Sequence, residues 1–165
     1  MKNALLAGVA ASVLLLSGCA SLPTPSVMQE DIKGYQLPMR PTEGEAIVYV
    51  VRPSSLGGLI RFNVFVDNKQ DTSEMGYTRS RQYIYFNVKA GDHQILSKAE
   101  NWAAINITAK PNDIIFLQQE PSMGLIMARN NIFPIQPYEG KYQVKHLSLG
   151  TIKRLDHKSE PPLRH

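Results

Sequence analysis

The chain has 165 residues but one cysteine and one tryptophan, so it cannot close a disulfide within itself or build a paired-cysteine zinc site. It contains no His-Glu-x-x-His signature, no Gly-x-Ser-x-Gly elbow and no phosphate-cradling Walker loop, and these absences remove the common hydrolase and nucleotide-binding classes. Its four histidines, His93, His146, His157 and His165, stand far apart in sequence. The expectation is therefore no metal, no cofactor and no catalytic residue. After Pro25 no apolar run approaches the roughly 20 residues that a bilayer-spanning helix takes, and no internal repeat is visible.

What is present begins at the N terminus. Met1-Lys2-Asn3 is followed by Ala4 to Leu16 without a charge or a proline, the pattern of a signal-peptide apolar region. Leu16-Ser17-Gly18-Cys19 resembles a bacterial lipobox, with cleavage between Gly18 and Cys19 and acylation of the thiol. Lipid transfer needs an accessible thiol nucleophile, and the peptidase needs small residues at the scissile bond. The resemblance implies three acyl chains on Cys19, and several chains hold a protein on a membrane where one alone holds it only marginally. Ala20 and Ser21, with no aspartate after the cysteine, resemble the pattern exported to the outer membrane. The expected location is the bacterial cell envelope, lipid-anchored at that membrane.

Removing residues 1–18 takes away only Lys2 among the charged groups, so the formal charge falls from +4 to +3. Such a mild excess suits contact with anionic lipid or glycan, and an exported protein is not expected to meet nucleic acid. Residues 19–43 carry Pro23, Pro25, Pro38 and Pro41 with no sustained apolar period. They read as a lipidated, proline-containing tether reaching roughly 70 Å if extended, or as an irregular arm docked through Ile32, Tyr35 and Leu37. Residues 151–165 end in a polar, proline-broken stretch and read as a frayed tail.

Between tether and tail, residues 44–150 read as one β-sandwich domain. Glu45 to Val51 is a continuous β-branched run expected in a strand covered on both faces, and it stops at Arg52-Pro53. Arg61 to Asp67 alternates, with Phe62, Val64 and Val66 on one face, and Asp67-Asn68 is a turn signal. Gln82 to Val88 alternates again, with Ile84, Phe86 and Val88 inward and Tyr83 and Tyr85 opposite. Lys89-Ala90-Gly91-Asp92 turns into His93–Ala99. Ala104–Ala109 and Ile114–Leu117 follow across Lys110-Pro111-Asn112-Asp113. Gly124–Ala128 reads as a further strand, and Tyr138–Leu149 as a short helix or a last hairpin, with the helix preferred. The class is mainly β, an antiparallel sandwich of about seven or eight strands with a short C-terminal helix and an N-terminal signal helix.

The ordered set "AIVYVVRP", "FNVFVDNK", "YIYFNVKAGDHQI" and "NDIIFLQQ", over roughly Glu45 to Glu120, resembles the bacterial lipoprotein family built on the domain of unknown function numbered 2846, with a PEGA-like sandwich core. Asn68 stands where that pattern usually has glycine; Gly91 and His93 match it. The resemblance implies a fold and an exported, anchored state, without a reaction or a ligand.

One candidate partner surface follows from the alternation: Tyr83 and Tyr85 with Phe65 nearby and charge from Arg61, Arg79 and Arg81. The competing reading has this stripe covered by the second sheet. Ser54 to Gly58 reads as a hairpin connection rather than an anion-binding loop. The preferred function is a non-catalytic binding or assembly module, anchored in the membrane by acyl chains on Cys19 and contacting an envelope protein or glycan. The alternatives are an envelope hydrolase or hydrolase inhibitor, and a passive spacer.

Overall fold

A computed structural model describes residues 22–124 and 128–157. The residues read as a signal peptide, with Gly18 and Cys19, and the end of the tail lie outside these residues. The elements are α1 (Pro25–Asp31), β1 (Glu45–Arg52), β2 (Phe62–Val66), β3 (Glu74–Thr78), β4 (Gln82–Lys89), β5 (Gly91–Lys98), β6 (Trp102–Ala109), β7 (Ile114–Met123), β8 (Ala128–Pro134), α2 (Pro137–His146), β9 (Ser148–Leu149) and β10 (Thr151–Ile152).

The strands form two five-stranded sheets, ordered β8-β7-β1-β4-β9 and β10-β3-β2-β5-β6. The alternating residues meet between them: Val48, Val50, Ile84, Phe86 and Leu117 from the first sheet pack with Val64, Val66, Met75 and Ile95 from the second. Each such side chain contributes about 1.5–3 kcal/mol when fully buried. The class is thus the mainly β sandwich with a short helix near its C terminus. Not every neighbour is antiparallel, because β1 pairs in parallel with β7 and β4 with β9. The β1–β7 register ends at Val51–Gln118, so Pro121 lies beyond the stretch of β7 that is paired on both sides, where a proline is tolerated. Of the strand read at Gly124–Ala128, residues 125–127 lie outside the described residues, Gly124 is in no strand, and Ala128 belongs to β8.

β1 is buried on both faces, from Ala46 to Arg52. Its outward side chains Ile47, Tyr49 and Val51 join Tyr83, Phe116 and Val144 in a second apolar cluster, with Leu37, Tyr85, Ile135 and Leu147 at its margin. The cover is α2 together with the N-terminal arm. Gly140 lets α2 approach closely, since a Cβ there would lie 2.1 Å from Phe116 Cγ.

The tether reading gives way to the docked-arm alternative from Pro25 onward. α1 buries Met28, and Asp31 joins it to α2 by accepting from His146 Nε2 at 2.8 Å and pairing with Lys145 Nζ at 3.1 Å. Those bonds, His146 first, hold the Asp31 carboxyl below the usual range. Farther along, the Tyr49 hydroxyl donates to Met39 O at 2.6 Å and accepts from Met39 N–H at 3.0 Å.

The tail reading also changes. β10 pairs with β3, and because β9 covers only Gln82 and Tyr83 of β4, the far end of that strand edge is free. Asn87 N–H donates to Leu155 O at 2.6 Å, and Asn87 O accepts from His157 N–H at 3.0 Å. The segment through His157 therefore lies on the sandwich.

Arg52 is fully buried. Its guanidinium donates to Ile60 O at 2.7 Å, Leu56 O at 2.7 Å and Gly57 O at 2.9 Å, and lies 3.7 Å above the Phe62 ring. Burial brings its pKa down to about 10. The Ser54–Gly58 loop is fastened from inside by this arginine.

Candidate functional site

The tyrosine stripe is not an open face. Tyr83 is buried and Tyr85 half-buried, both beside Tyr49, at ring distances of 6.3 and 5.4 Å. The second sheet is not what covers them; α2 and the arm do, because Val144, Leu147 and Leu37 fill the space above. Phe65 sits on the other sheet. Tyr83 and Tyr85 are therefore corrected from partner-binding to packing residues. Arg81 borders a hollow with Tyr142 and His146 beside α2, whereas Arg79 belongs to the opposite side of the molecule.

That opposite side is the outer face of the second sheet. Among the described residues both helices belong to the first sheet, α2 against β1 and β7 and α1 against α2. The second sheet's outward residues come from period-two geometry: with Ala103, Ile105 and Ile107 turned to the core, Trp102, Ala104, Asn106 and Thr108 point away. Cross-strand register then places Lys98 beside Trp102 and Leu96 beside Ala104, and Asn63 beside Lys98.

Two cation-topped aromatics occupy this face. The half-exposed Trp102 ring lies 5.2 Å from that of Phe65, with Lys69 Nζ at 5.0 Å and Lys98 Nζ at 5.3 Å. Tyr77 carries Arg61 at 4.8 Å and Arg79 at 5.7 Å. Its hydroxyl is held below the ordinary range, first by a hydrogen bond with Thr151 and then, against some desolvation, by the charges of Arg61, Arg79 and Lys153. Glu74 is engaged by Lys153 and by Asn63 Nδ2 at 2.7 Å, Asp92 accepts from Thr108 Oγ1 at 2.6 Å, and with Asp71 these three acids stand against five cations, Arg61, Lys69, Arg79, Lys98 and Lys153. Leu59, 90% exposed, stands at the rim. Sequence reasoning collected Arg61, Arg79 and Phe65 but grouped them with Tyr83 and Tyr85 instead of Trp102 and Tyr77. The signal that identifies the right ones is the period of β6, which puts the sole tryptophan outward.

A second constellation gathers residues distant in sequence. Asp67, His93 and His157 present ligand atoms all within 4.8 Å of one another. Asp67 Oδ2 accepts from His93 Nδ1 at 2.9 Å and His157 Nε2 at 3.0 Å, while His93 Nε2 faces Lys89 O at 2.9 Å. Burial alone would raise the Asp67 carboxyl, but the hydrogen bonds from His93 and Gln94 N–H with the histidine charges bring it below its ordinary value. His157 is lowered by burial, which outweighs the attraction of Asp67. This gathering of histidines with a carboxylate runs against the sequence expectation that they stay apart.

Among the described residues the chain is thus a two-sheet sandwich with one outer face capped by α2 and the arm and the other carrying cations over its aromatics. In comparison with known proteins it is 26% identical over 145 residues to an uncharacterized protein of Haemophilus influenzae (strain ATCC 51907 / DSM 11121 / KW20 / Rd), covering 87% of this chain and 82% of that one. No family model matches the chain, and no solved structure matches it.

Proposed function

We propose that the protein is an envelope lipoprotein of the kind its sequence resembles, a non-catalytic binding module held at the outer membrane by acyl chains on Cys19. It presents the open face of its second sheet to an acidic partner protein. One observation carries this reading: α2 and the arm cap one outer face, and the other displays Trp102 and Tyr77 beneath Lys69, Lys98, Arg61 and Arg79. Tryptophan, tyrosine and arginine are the residues that dominate interface energetics, and a basic face speeds encounter with an acidic one.

A hydrolase would draw on the Asp67–histidine contact, and of its two histidines His93 has its second nitrogen bound to Lys89 O and so does not serve a nucleophile as base. The test is partner capture by cross-linking in intact cells. Lys69→Gln/Lys98→Gln is expected to lose a partner that wild type retains, and wild-type capture is expected to weaken with salt. Identical partners in both, or capture of glycan alone, would sink the proposal. Cys19→Ala is expected to abolish fatty-acid labelling; persistent labelling removes the anchor.

A further inference from the structure

We infer that Asp67, His93 and His157 bind a divalent first-row transition metal, zinc being the probe of choice, and that the ion fastens the C-terminal segment to the sandwich. Two imidazoles and one carboxylate suit such ions. Zinc sits about 2.0–2.2 Å from nitrogen and oxygen ligands. At that range ligand atoms about 3.0 Å apart subtend roughly a right angle, and the tetrahedral angle needs about 3.4 Å. The observed separations from Asp67 Oδ2, 2.9 Å to His93 Nδ1 and 3.0 Å to His157 Nε2, need to open by a few tenths of an ångström, and the two histidine nitrogens, within 4.8 Å of each other, have to take the same separation.

The hydrogen bonding around the trio points the same way. A carbonyl oxygen only accepts, so Lys89 O fixes the proton of a neutral His93 on Nε2. In that tautomer Nδ1 presents a lone pair to Asp67 Oδ2, a contact that needs a cation: a second proton, which makes His93 an imidazolium donating to both acceptors, or a metal ion in that proton's place. A metal-bound histidine commonly has this second-nitrogen bond to a backbone carbonyl. Asp67 is pre-set as well. Its backbone is left-handed at φ 66°, its N–H donates to Gln94 O at 2.8 Å, and its Oδ1 accepts from Gln94 N–H at 3.0 Å, which leaves Oδ2 to face the histidines. Both histidine side chains are 8% exposed and that of Asp67 is 34% exposed, so the ion would keep a solvent-facing side for water.

His157 is the member supplied by the C-terminal segment, and metal binding would therefore tighten that segment specifically. The full chain in detergent micelles, stripped with chelator, is titrated with Zn²⁺ by calorimetry and with Co²⁺ by visible absorption. One equivalent is expected to bind, with affinity reduced at least about tenfold in Asp67→Asn, His93→Gln and His157→Gln. His146→Gln, at the α1–α2 contact, is expected to bind as wild type. Amide exchange at residues 155–157 is expected to slow on adding Zn²⁺. Absence of saturable binding to wild type overturns the inference; so does equal affinity in all three ligand variants, or binding that leaves exchange at 155–157 unchanged.

Discussion

Gly140→Ala is expected to destabilise this protein, although the same change in an exposed helix stabilises by about 1 kcal/mol. Gly140 is buried within α2, and an added Cβ would lie 2.1 Å from Phe116 Cγ, 2.3 Å from Cδ1 and 2.5 Å from Cβ. Two of these atoms are close to the β7 backbone, so a ring flip does not clear the space and the helix must lift. Overpacking of this kind costs about 1–3 kcal/mol, more if the helix separates and exposes Val144, Tyr83 and Tyr49. With the propensity gain deducted, a net loss of up to about 2 kcal/mol is expected. Urea denaturation followed by far-ultraviolet circular dichroism measures it, with amide exchange along residues 137–146 as a local readout. Phe116→Ala should relieve the strain only in part, because the Phe116 Cβ itself stands in the way. Stabilisation by Gly140→Ala, as in an isolated helix, would refute the close-approach explanation for α2 and with it the physical basis of the cap.

Arg52→Leu removes three charge-assisted hydrogen bonds to the loop carbonyls of Leu56, Gly57 and Ile60 and is expected to cost about 3 kcal/mol, read as a lower urea midpoint; an unchanged midpoint would show that the loop holds itself. Tyr49→Phe removes both bonds to Met39, and a loss of about 1–2 kcal/mol with faster proteolysis between residues 32 and 43 is expected. Unaltered cleavage there would mean that the arm does not depend on this hydroxyl.

How much of this was visible in the sequence differs from element to element. β1 and β4 were legible because β1 is an unbroken apolar run and β4 alternates aliphatic and phenyl residues with tyrosines, and both patterns are local. The β1–β7 pairing was not, since parallel neighbours meet across more than 60 residues and no turn marks them. α1 escaped notice because it has seven residues, no side-chain cap and one buried residue, Met28. The docked tail escaped for a related reason: what holds it is pairing with β3, the strand edge at Asn87 and the carboxylate of Asp67, all far away in sequence. Tyr83 and Tyr85 were correctly turned away from the sandwich core. Period two gives the side of a sheet but not what lies on it, and here α2 lies on it. The same rule applied to β6 turns Trp102 outward, where neither helix follows.

A photoreactive residue in place of Ala104, which is exposed on β6 between Trp102 and Asn106, tests the open face directly when compared with the same probe at Lys141 on α2. Irradiation of intact cells should give a discrete adduct from position 104 that position 141 does not form, and Lys69→Gln/Lys98→Gln should remove it. The same adducts from both positions, or none from 104 in cells that contain the protein, would contradict a binding face on the second sheet.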